Sequence, residues 1–377
     1  MRENASCYLS VTGRQMGLCG DKGMKKSFEE VFEDQTKYGT KVKTEEYCIS
    51  GAHIIVDQGQ GQIAGYTDRE DGLFADVPAI VFGDHTRVIK YVDTPFYLGA
   101  DGVKVLRSRF ENANYRYLYY ALKSARIPNT GYNRHYKWLK ETRINYPDAE
   151  RQAEIVRILD RVMEVIGKRQ QQLNAYDDLI KARFVEMFGD LRINKKGWGL
   201  RSFDDLTVLI TDGEHATPKR TSEGIYLLSA RNILNHAIRL DDVDYIDQEE
   251  YDRIAKRVIP TEGDVLISCS GTVGRCCAVP ADLKFQMVRS AALLRFKPEI
   301  KPKFAEYMIT SDFIQEQINQ SKTASSQANL FQGKIAKLKG FVPPIDMQEQ
   351  FTDFISQVDK SKSHKKTNYK TNNKLAS

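Results

Sequence analysis

The sequence predicts an α+β protein built from two tandem units, each a mixed α/β globule followed by a helix. Three observations carry this reading: a motif that opens both halves, a motif that closes both halves, and a long apolar seam after the first half. The opening motif Ser27-Phe28-Glu29-Glu30-Val31 returns as Ser202-Phe203-Asp204-Asp205-Leu206, and a glycine turn follows each, at Gly39 and at Gly213. The closing motif Pro147-Asp148-Ala149-Glu150-Arg151-Gln152 aligns with Pro343-Pro344-Ile345-Asp346-Met347-Gln348 at an offset of 196. That register continues through Ile155 with Phe351, Ile158 with Phe354, Leu159 with Ile355 and Val162 with Val358. Backwards it pairs Asn133 with Asn329 and Leu139 with Ile335. The opening motifs are 175 apart, so the second unit is longer by 21 residues. Two matches in the same order at similar separation point to a duplicated unit.

Residues 1–26 are expected to form a poorly ordered N-terminal extension. Residues 1–23 match nothing in the second unit, and Met24 is as good a start as Met1. The first globule spans 27–146. Its strand candidates His53–Val56, Ala79–Phe82 and Val103–Leu106 are short apolar runs bounded by Gly, Asp and Pro turns. The second globule spans 198–342, with strand candidates Val208–Thr211, Ile225–Ser229, Val265–Cys269 and Ala292–Phe296. Neither unit alternates strand and helix as a parallel sheet requires.

The central helix is expected over 147–190. Pro147, Asp148 and Glu150 suit a helix start, where the backbone dipole favours negative charge. Alternating steps of four and three from Ile155 give Leu159, Val162, Ile166, Arg169, Leu173, Tyr176, Ile180, Arg183 and Met187. Apolar or aromatic residues fill this row except at the two arginines, which is a coiled-coil seam of period 3.5. From Ala149 to Phe188 it would run roughly 60 Å at ~1.5 Å per residue, and Gly189 ends it. A core helix lying on one globule would be shorter, with a broader apolar face. The second helix is expected over 343–362. Its seam starts with Phe351, Ile355 and Val358 and then fades into a basic polar tail, 363–377.

Charge places strict limits on partners. The chain has 56 Lys and Arg against 50 Asp and Glu, a net charge of +6. Six lysines lie beyond the last acidic residue, Asp359, so residues 1–359 are neutral as a body. Bulk charge therefore gives no argument for nucleic acid, and any such binding must come from local patches. No apolar run is long enough to span a membrane, and MRENASCYLS lacks the pattern of a secretory signal. Six sparse cysteines, including the vicinal Cys276-Cys277, do not make a disulfide framework. A cytoplasmic protein without membrane contact is the expectation.

Motifs of catalysis and cofactor binding are missing. The glycines of Gln58-Gly59-Gln60-Gly61-Gln62 follow a strand candidate, yet turn residues follow them where a dinucleotide fold needs a helix. A hairpin-like loop fits better, and glutamine amides suit the edges of bases, adenine above all. There is no phosphate-binding P-loop, no amino-methyltransferase tetrad and no Cys or His spacing for zinc. Cys269, Cys276 and Cys277 read as buried thiols. No cofactor is expected.

Loops rich in hydroxyl, amide and basic side chains fall at matching places in the two units. In the first they offer Tyr38, Thr40 and Lys41; Gln58, Gln60 and Gln62; His85 and Arg87; and Asn129, Tyr132, Asn133 and Arg134. In the second they offer His215, Thr217, Lys219 and Arg220; Arg231 and Asn232; Ser270, Thr272 and Arg275; and Gln327 and Asn329. Taken singly, each loop reads as a solvated turn. Taken together, these groups are the kind that bond to phosphate oxygens and base edges.

The segment Gly263-Asp264-Val265-Leu266-Ile267-Ser268-Cys269-Ser270-Gly271-Thr272-Val273-Gly274, with the Pro343–Gln350 stretch and its helix, resembles the specificity subunit of type I restriction–modification systems. The resemblance covers about residues 24–360 and includes the two-unit plan. It implies two target recognition domains, each reading one half of a bipartite site in double-stranded DNA. It also implies helices that pair as an antiparallel coiled coil, set the spacing and dock two methyltransferase subunits, with restriction subunits joining through the complex. The subunit itself would not be a catalyst. Two other readings stand beside it: a stand-alone DNA-modifying or cleaving enzyme on duplicated domains, using acids such as Asp76 and Asp84, and a coiled-coil protein-interaction adaptor.

Overall fold

The computed structural model describes residues 24–99, 101–131, 133–321 and 329–375, with 363–375 as backbone only. The chain divides into two compact units between Gln170 and Gln171, inside the long helix, with residues 373–377 grouped with the first.

The first unit opens with β1 (Met24–Ser27), the single turn α1 (Phe28–Val31) and β2 (Phe32–Asp34). Next come β3 (His53–Val56), β4 (Gly65–Thr67), β5 (Ala79–Gly83), β6 (Ile89–Val92), β7 (Phe96–Leu98) and β8 (Val103–Ser108). Helices α2 (Tyr115–Lys123) and α3 (Tyr136–Lys140) precede β9 (Arg143–Tyr146), and α4 (Ala149–Phe188) follows it. The strands form a four-stranded antiparallel sheet in the order β2-β8-β5-β6, a three-stranded sheet β4-β3-β7 and the pair β1-β9.

The second unit continues with β10 (Leu200–Ser202), α5 (Phe203–Leu206), β11 (Thr207–Asp212), β12 (Ile225–Leu228), the hairpin β13 (Ile233–Leu234) and β14 (Ala237–Ile238), and β15 (Asp244–Ile246). Then follow α6 (Gln248–Ala255), β16 (Val265–Ser268), β17 (Cys276–Ala278), β18 (Phe285–Met287) and β19 (Ala291–Phe296). Helices α7 (Pro302–Thr310), α8 (Asp312–Ser321) and α9 (Gln332–Lys337), strand β20 (Lys339–Phe341) and helix α10 (Ile345–Leu375) complete it. Its sheets are β11-β19-β16-β17, β15-β12-β18 and β10-β20. Apart from the added hairpin β13-β14, this is the strand order of the first unit, so the duplication read from two short motifs extends through all three of its sheets. One detail departs from expectation. Each three-stranded sheet contains a parallel pair, β3 with β7 and β12 with β18.

The repeated residues have physical reasons. Ser27 and Ser202 each close a reciprocal capping box: the Ser27 hydroxyl accepts from the Glu30 N–H at 3.3 Å and the Glu30 carboxylate accepts from the Ser27 N–H at 2.6 Å. Asp205 does the same for Ser202 at 3.2 Å in both directions. Two otherwise orphan donors are thereby satisfied at each helical turn. Phe28 and Phe203 behind them are fully buried. The turn glycines are matched too. A Cβ on Gly39 would lie 2.1 Å from Leu98 at the end of β7, and one on Gly213 would lie 2.3 Å from the Met287 carbonyl at the end of β18. At the closing motif, Gln152 donates to the Pro147 carbonyl at 2.8 Å and Gln348 donates to the Pro343 carbonyl at 2.9 Å, both from buried positions.

Strands β5 and β16 are continuous apolar runs because both their faces are covered. Ile80 and Phe82 join a core with α2 and the start of α4, while Ala79 and Val81 join a second core with Val56, Phe96 and Val105. Val265 and Ile267 likewise face one core and Leu266 another. All ten seam positions of α4 are buried or half-buried. Within the second unit its last turns pack on α10. Phe184 meets Phe351 at 5.4 Å between ring centres, the Arg183 guanidinium lies over Phe354, and Asp177 pairs with Lys362 at 2.9 Å. One number falls as the other rises, so the helices run antiparallel. Helix α10 also outlasts its seam, continuing to Leu375 beyond Val358. Lysines propagate a helix well and sit favourably toward its C-terminus, so backbone continuity here does not require an apolar row.

Candidate nucleic-acid interface

In the first unit, four loops distant in sequence are tied together by hydrogen bonds. The loop after β3 is the expected hairpin connection, since His53, Ile54 and Ile55 pair antiparallel with Thr67, Tyr66 and Gly65. Gln58 sits between neighbours: its amide donates to the Asp101 carbonyl at 3.1 Å and accepts from the His85 N–H at 3.2 Å. The Thr86 hydroxyl donates to the Gln58 carbonyl at 2.5 Å. The β5–β6 turn that carries His85 and Arg87 is joined in turn to the 129–136 loop. Buried His135 donates its backbone N–H to the Asp84 carbonyl at 2.8 Å, and Asp84 accepts from the Tyr136 N–H at 2.7 Å.

Lys41 reaches the same place through its ion pair with Asp101 at 3.0 Å. Lys41, with Arg134 and His85 acting from further off, holds the Asp101 carboxyl below the usual carboxylate range. Lys41, Gln58, His85 and Arg134 are therefore one patch. Arg87 sits in the left-handed backbone region at φ 60 and donates to the Ile127 carbonyl at 3.4 Å. Thr40 is fixed by backbone bonds to Gly72 and Leu98. Tyr38 is exposed beneath Lys37, and Gln62 donates to the Tyr91 carbonyl at 2.6 Å. Gln60, Asn129, Asn133 and Arg134 are exposed, with Asn129 capping Gly131 and Asn133 bonded to the Thr130 carbonyl. Tyr132 lies outside the described residues.

The second unit assembles its loops differently. Arg220 and Arg231 converge on one carboxylate, Asp244, at 3.0 and 2.8 Å. His215 pairs with Asp212 at 2.7 Å, and Arg257 binds the other oxygen of Asp212. Thr217 is exposed, and the Lys219 N–H donates to Glu250 at 3.1 Å. Ser290 joins two loops: its hydroxyl accepts from the Ala230 N–H at 3.0 Å and its carbonyl from the Cys269 N–H at 2.8 Å. Ser270 forms a β-bridge with Asn329, which brings the 268–275 loop against the chain leading to α9. Thr272 is exposed on that loop. Arg275 is half-buried, and among the described residues its guanidinium enters no ion pair. Gln327 lies outside the described residues.

One expectation needs correction. Asn232 is fully buried; its oxygen accepts from Ser229 and its NH2 donates to the carbonyls of Arg239 and Asp242 at 3.0 and 2.8 Å. All its bonding groups are taken within the loop, so it shapes the Ser229 turn and offers nothing to a duplex. The Ser229-x-x-Asn232 capping spacing was the available signal. Sequence reasoning also missed Asp101, Asp244, His135 and Ser290, which with Asp84, read there only as an acid for the enzyme alternative, knit the loops together.

The remaining chemistry-bearing candidates are structural. Asp76 pairs with Arg107 at 2.6 Å, and Asp84 is buried at the loop junction. The Cys269 and Cys277 thiols are pushed up to about 12 by burial, and burial also holds Cys276 well above its ordinary value. Among the described residues no three His, Cys, Asp or Glu side chains gather as metal ligands. No described helix is long and apolar enough to cross a membrane. Asp264, from the motif that carries the family resemblance, accepts two bonds from Arg295 at 2.7 and 2.8 Å and caps Thr261 at 2.8 Å.

The chain belongs to the type I restriction modification DNA specificity domain family, whose model matches residues 22–175 and again 197–373. The type I restriction enzyme EcoR124I/EcoR124II specificity subunit of Escherichia coli is 28% identical over 167 residues, 39% of this chain and 41% of that protein, so the match spans under half of that relative. Among solved structures, the type I restriction–modification S subunit from M. genitalium is 14% identical, covering 95% of this chain and 94% of that one at a TM-score of 0.49. The HsdS subunit from Thermoanaerobacter tengcongensis is 16% identical, covering 91% of each chain at a TM-score of 0.36.

Proposed function

We propose that this chain is the DNA-reading subunit of a type I restriction–modification complex, with no catalytic group of its own. Residues 27–146 and 198–342 act as two target recognition domains, each reading one half of a bipartite site in double-stranded DNA. Helices α4 and α10 set the distance between half-sites and dock two methyltransferase subunits, through which restriction subunits join in the cytoplasm. The observation that carries this reading is the pair of loop clusters, built at the same topological positions from different side chains. A shared scaffold with diverged loops is what two different half-sites require, and helix length then fixes their spacing as in other modular readers. A neutral body fits a subunit whose phosphate contacts are local and whose affinity is shared with partners.

The test is co-expression with a type I methyltransferase subunit, followed by sequencing of methylated adenines in host DNA. Methylation at a single bipartite motif is the expected result. Failure of the two proteins to associate would overturn the assembly role, and metal-dependent cleavage by the chain alone would replace it with the enzyme reading.

A further inference from the structure

Asp244 lies at the start of β15, in register opposite Leu227 of β12, so the three-stranded sheet fixes its backbone. It is two-thirds buried, and its two oxygens take one arginine each: Oδ2 accepts from Nε of Arg220 at 3.0 Å and Oδ1 from Nη2 of Arg231 at 2.8 Å. The two arginines come from loops on either side of β12 and are half-exposed. Asp242 stands 3.9 Å from Arg231 as a weaker second partner. Through Ser290 the Arg231 turn is joined to the 268–275 loop, so the pair lies in the second unit's loop cluster.

A guanidinium has five donors in a rigid fork, and a carboxylate on one of them orients the rest. Asp244 leaves both Nη groups of Arg220 and Nη1 of Arg231 unused. An arginine held in this way presents its fork to the O6 and N7 of guanine, the arrangement for which arginine is best suited. It is also less able to swing onto a phosphate, because doing so means leaving a carboxylate already in place. Partial burial pulls the Asp244 carboxyl up, yet Arg220 and Arg231 together hold it below the usual carboxylate range, so it stays charged.

We infer that Asp244 is a specificity-determining positioning residue: it holds Arg220 and Arg231 to read guanine in the second half-site and withholds them from random phosphate contact. This rests on the DNA-reading function proposed above.

The experiment selects bound duplexes from a random-sequence pool with the full chain and its methyltransferase partner, and compares wild type with Asp244→Asn. Wild type should enrich two half-sites, one of them containing guanine. Asp244→Asn should flatten preference at that guanine about tenfold or more, while binding a larger fraction of the random pool. Its log–log salt slope should steepen by about 0.9 for each additional phosphate that the released arginines neutralise. Such opposed changes are not what a misfolded loop gives, since misfolding lowers both. Asp244→Glu should retain the wild-type pattern, and Arg220→Lys or Arg231→Lys should lose guanine preference without stronger binding to the random pool. Unchanged sharpness at guanine in Asp244→Asn, or a second half-site without guanine, overturns the inference alone. Failure of wild type to enrich any motif overturns the DNA-reading function with it.

Discussion

The two loop clusters occupy the same topology and are held together by opposite means. In the first unit the joints are mostly neutral: an amide at Gln58, a hydroxyl at Thr86, backbone bonds through His135. In the second they are mostly ionic, with Asp244 taking Arg220 and Arg231, and Asp212 taking Arg257 beside His215. What persists is the strand order, the capping boxes and the buried glutamines at the helix starts. Those features work on the backbone and the core, where few residue types serve, whereas a loop can be closed by many chemistries and is free to diverge with its target.

One ion pair recurs in both units and gives the largest contrast. Arg107 on β8 binds Asp76, and Arg295 at the matching place on β19 binds Asp264, in each case an aspartate ahead of the central strand. Asp76 is more than half exposed, while Asp264 is 2% exposed and bound twice by Arg295. Buried Asp264 accepts from Arg295 and from the N–H and hydroxyl of Thr261, so its removal strips several bonds from one site, while an exposed carboxylate adds little. Asp264→Ala should therefore cost about 3 kcal/mol in urea unfolding, and Asp76→Ala no more than about 1 kcal/mol. Equal losses would show that the duplicated pair has kept one role.

At the interface the comparison narrows to Arg275, whose guanidinium has no ion-pair partner among the described residues, unlike Arg220 and Arg231. Arg275→Ala should weaken target binding by roughly 1–3 kcal/mol, with all of the loss in the second half-site. Equal weakening on random duplex would assign the residue to phosphate.

Much of this was legible in sequence because it rests on local chemistry. Seven strands were located as short apolar runs, and Ser27, Ser202, Gln152 and Gln348 marked the repeat by spacing alone. Strands such as β6, β7, β17 and β18 were not located, being three or four residues long and fixed by their neighbours. Asp101 and Asp244 could not be recognised either. An acidic residue in a turn reads as a solvated charge until the fold brings Lys41 or Arg231 to it from far along the chain.

Buried ionisable groups distinguish the units by pH. In the second, Glu306 is 1% exposed; burial pulls its carboxyl up, but His236 at 2.5 Å and Lys303 at 3.0 Å hold it below its ordinary value of 4.5. A lowered folded-state value means a stabilising contribution that is present above pH 4.5 and lost as pH falls through that lower value. In the first unit, Lys90 is 3% exposed, and burial lowers it against the opposing pull of Asp57, so it is the charged form that is penalised and the window lies at alkaline instead of acid pH. Stability there should rise as pH climbs from that lowered value toward 10.5. Urea unfolding of Glu306→Gln across acid pH should show its deficit against wild type shrinking as pH falls. A deficit independent of pH would place its cause in packing.

The smallest effects lie within the glutamine loop, where two neighbours of one residue type are assigned different work. Gln58 binds the Asp101 carbonyl and the His85 N–H, so removing its side chain leaves two backbone groups without their partner. Gln60 is exposed. Gln58→Ala should therefore lower stability by about 1 kcal/mol, and it should blur the first half-site indirectly by loosening the Lys41–Asp101 patch. Gln60→Ala should leave stability within about 0.5 kcal/mol of wild type and alter only the base preferred at one position of the first half-site. Because amide side chains suit adenine, the position that changes should be an adenine. If Gln60→Ala leaves the motif intact while Gln58→Ala shifts it, the loop acts as a strut between the β3–β4 hairpin and the β5–β6 turn, and base reading in the first unit belongs to Arg134 and its neighbours.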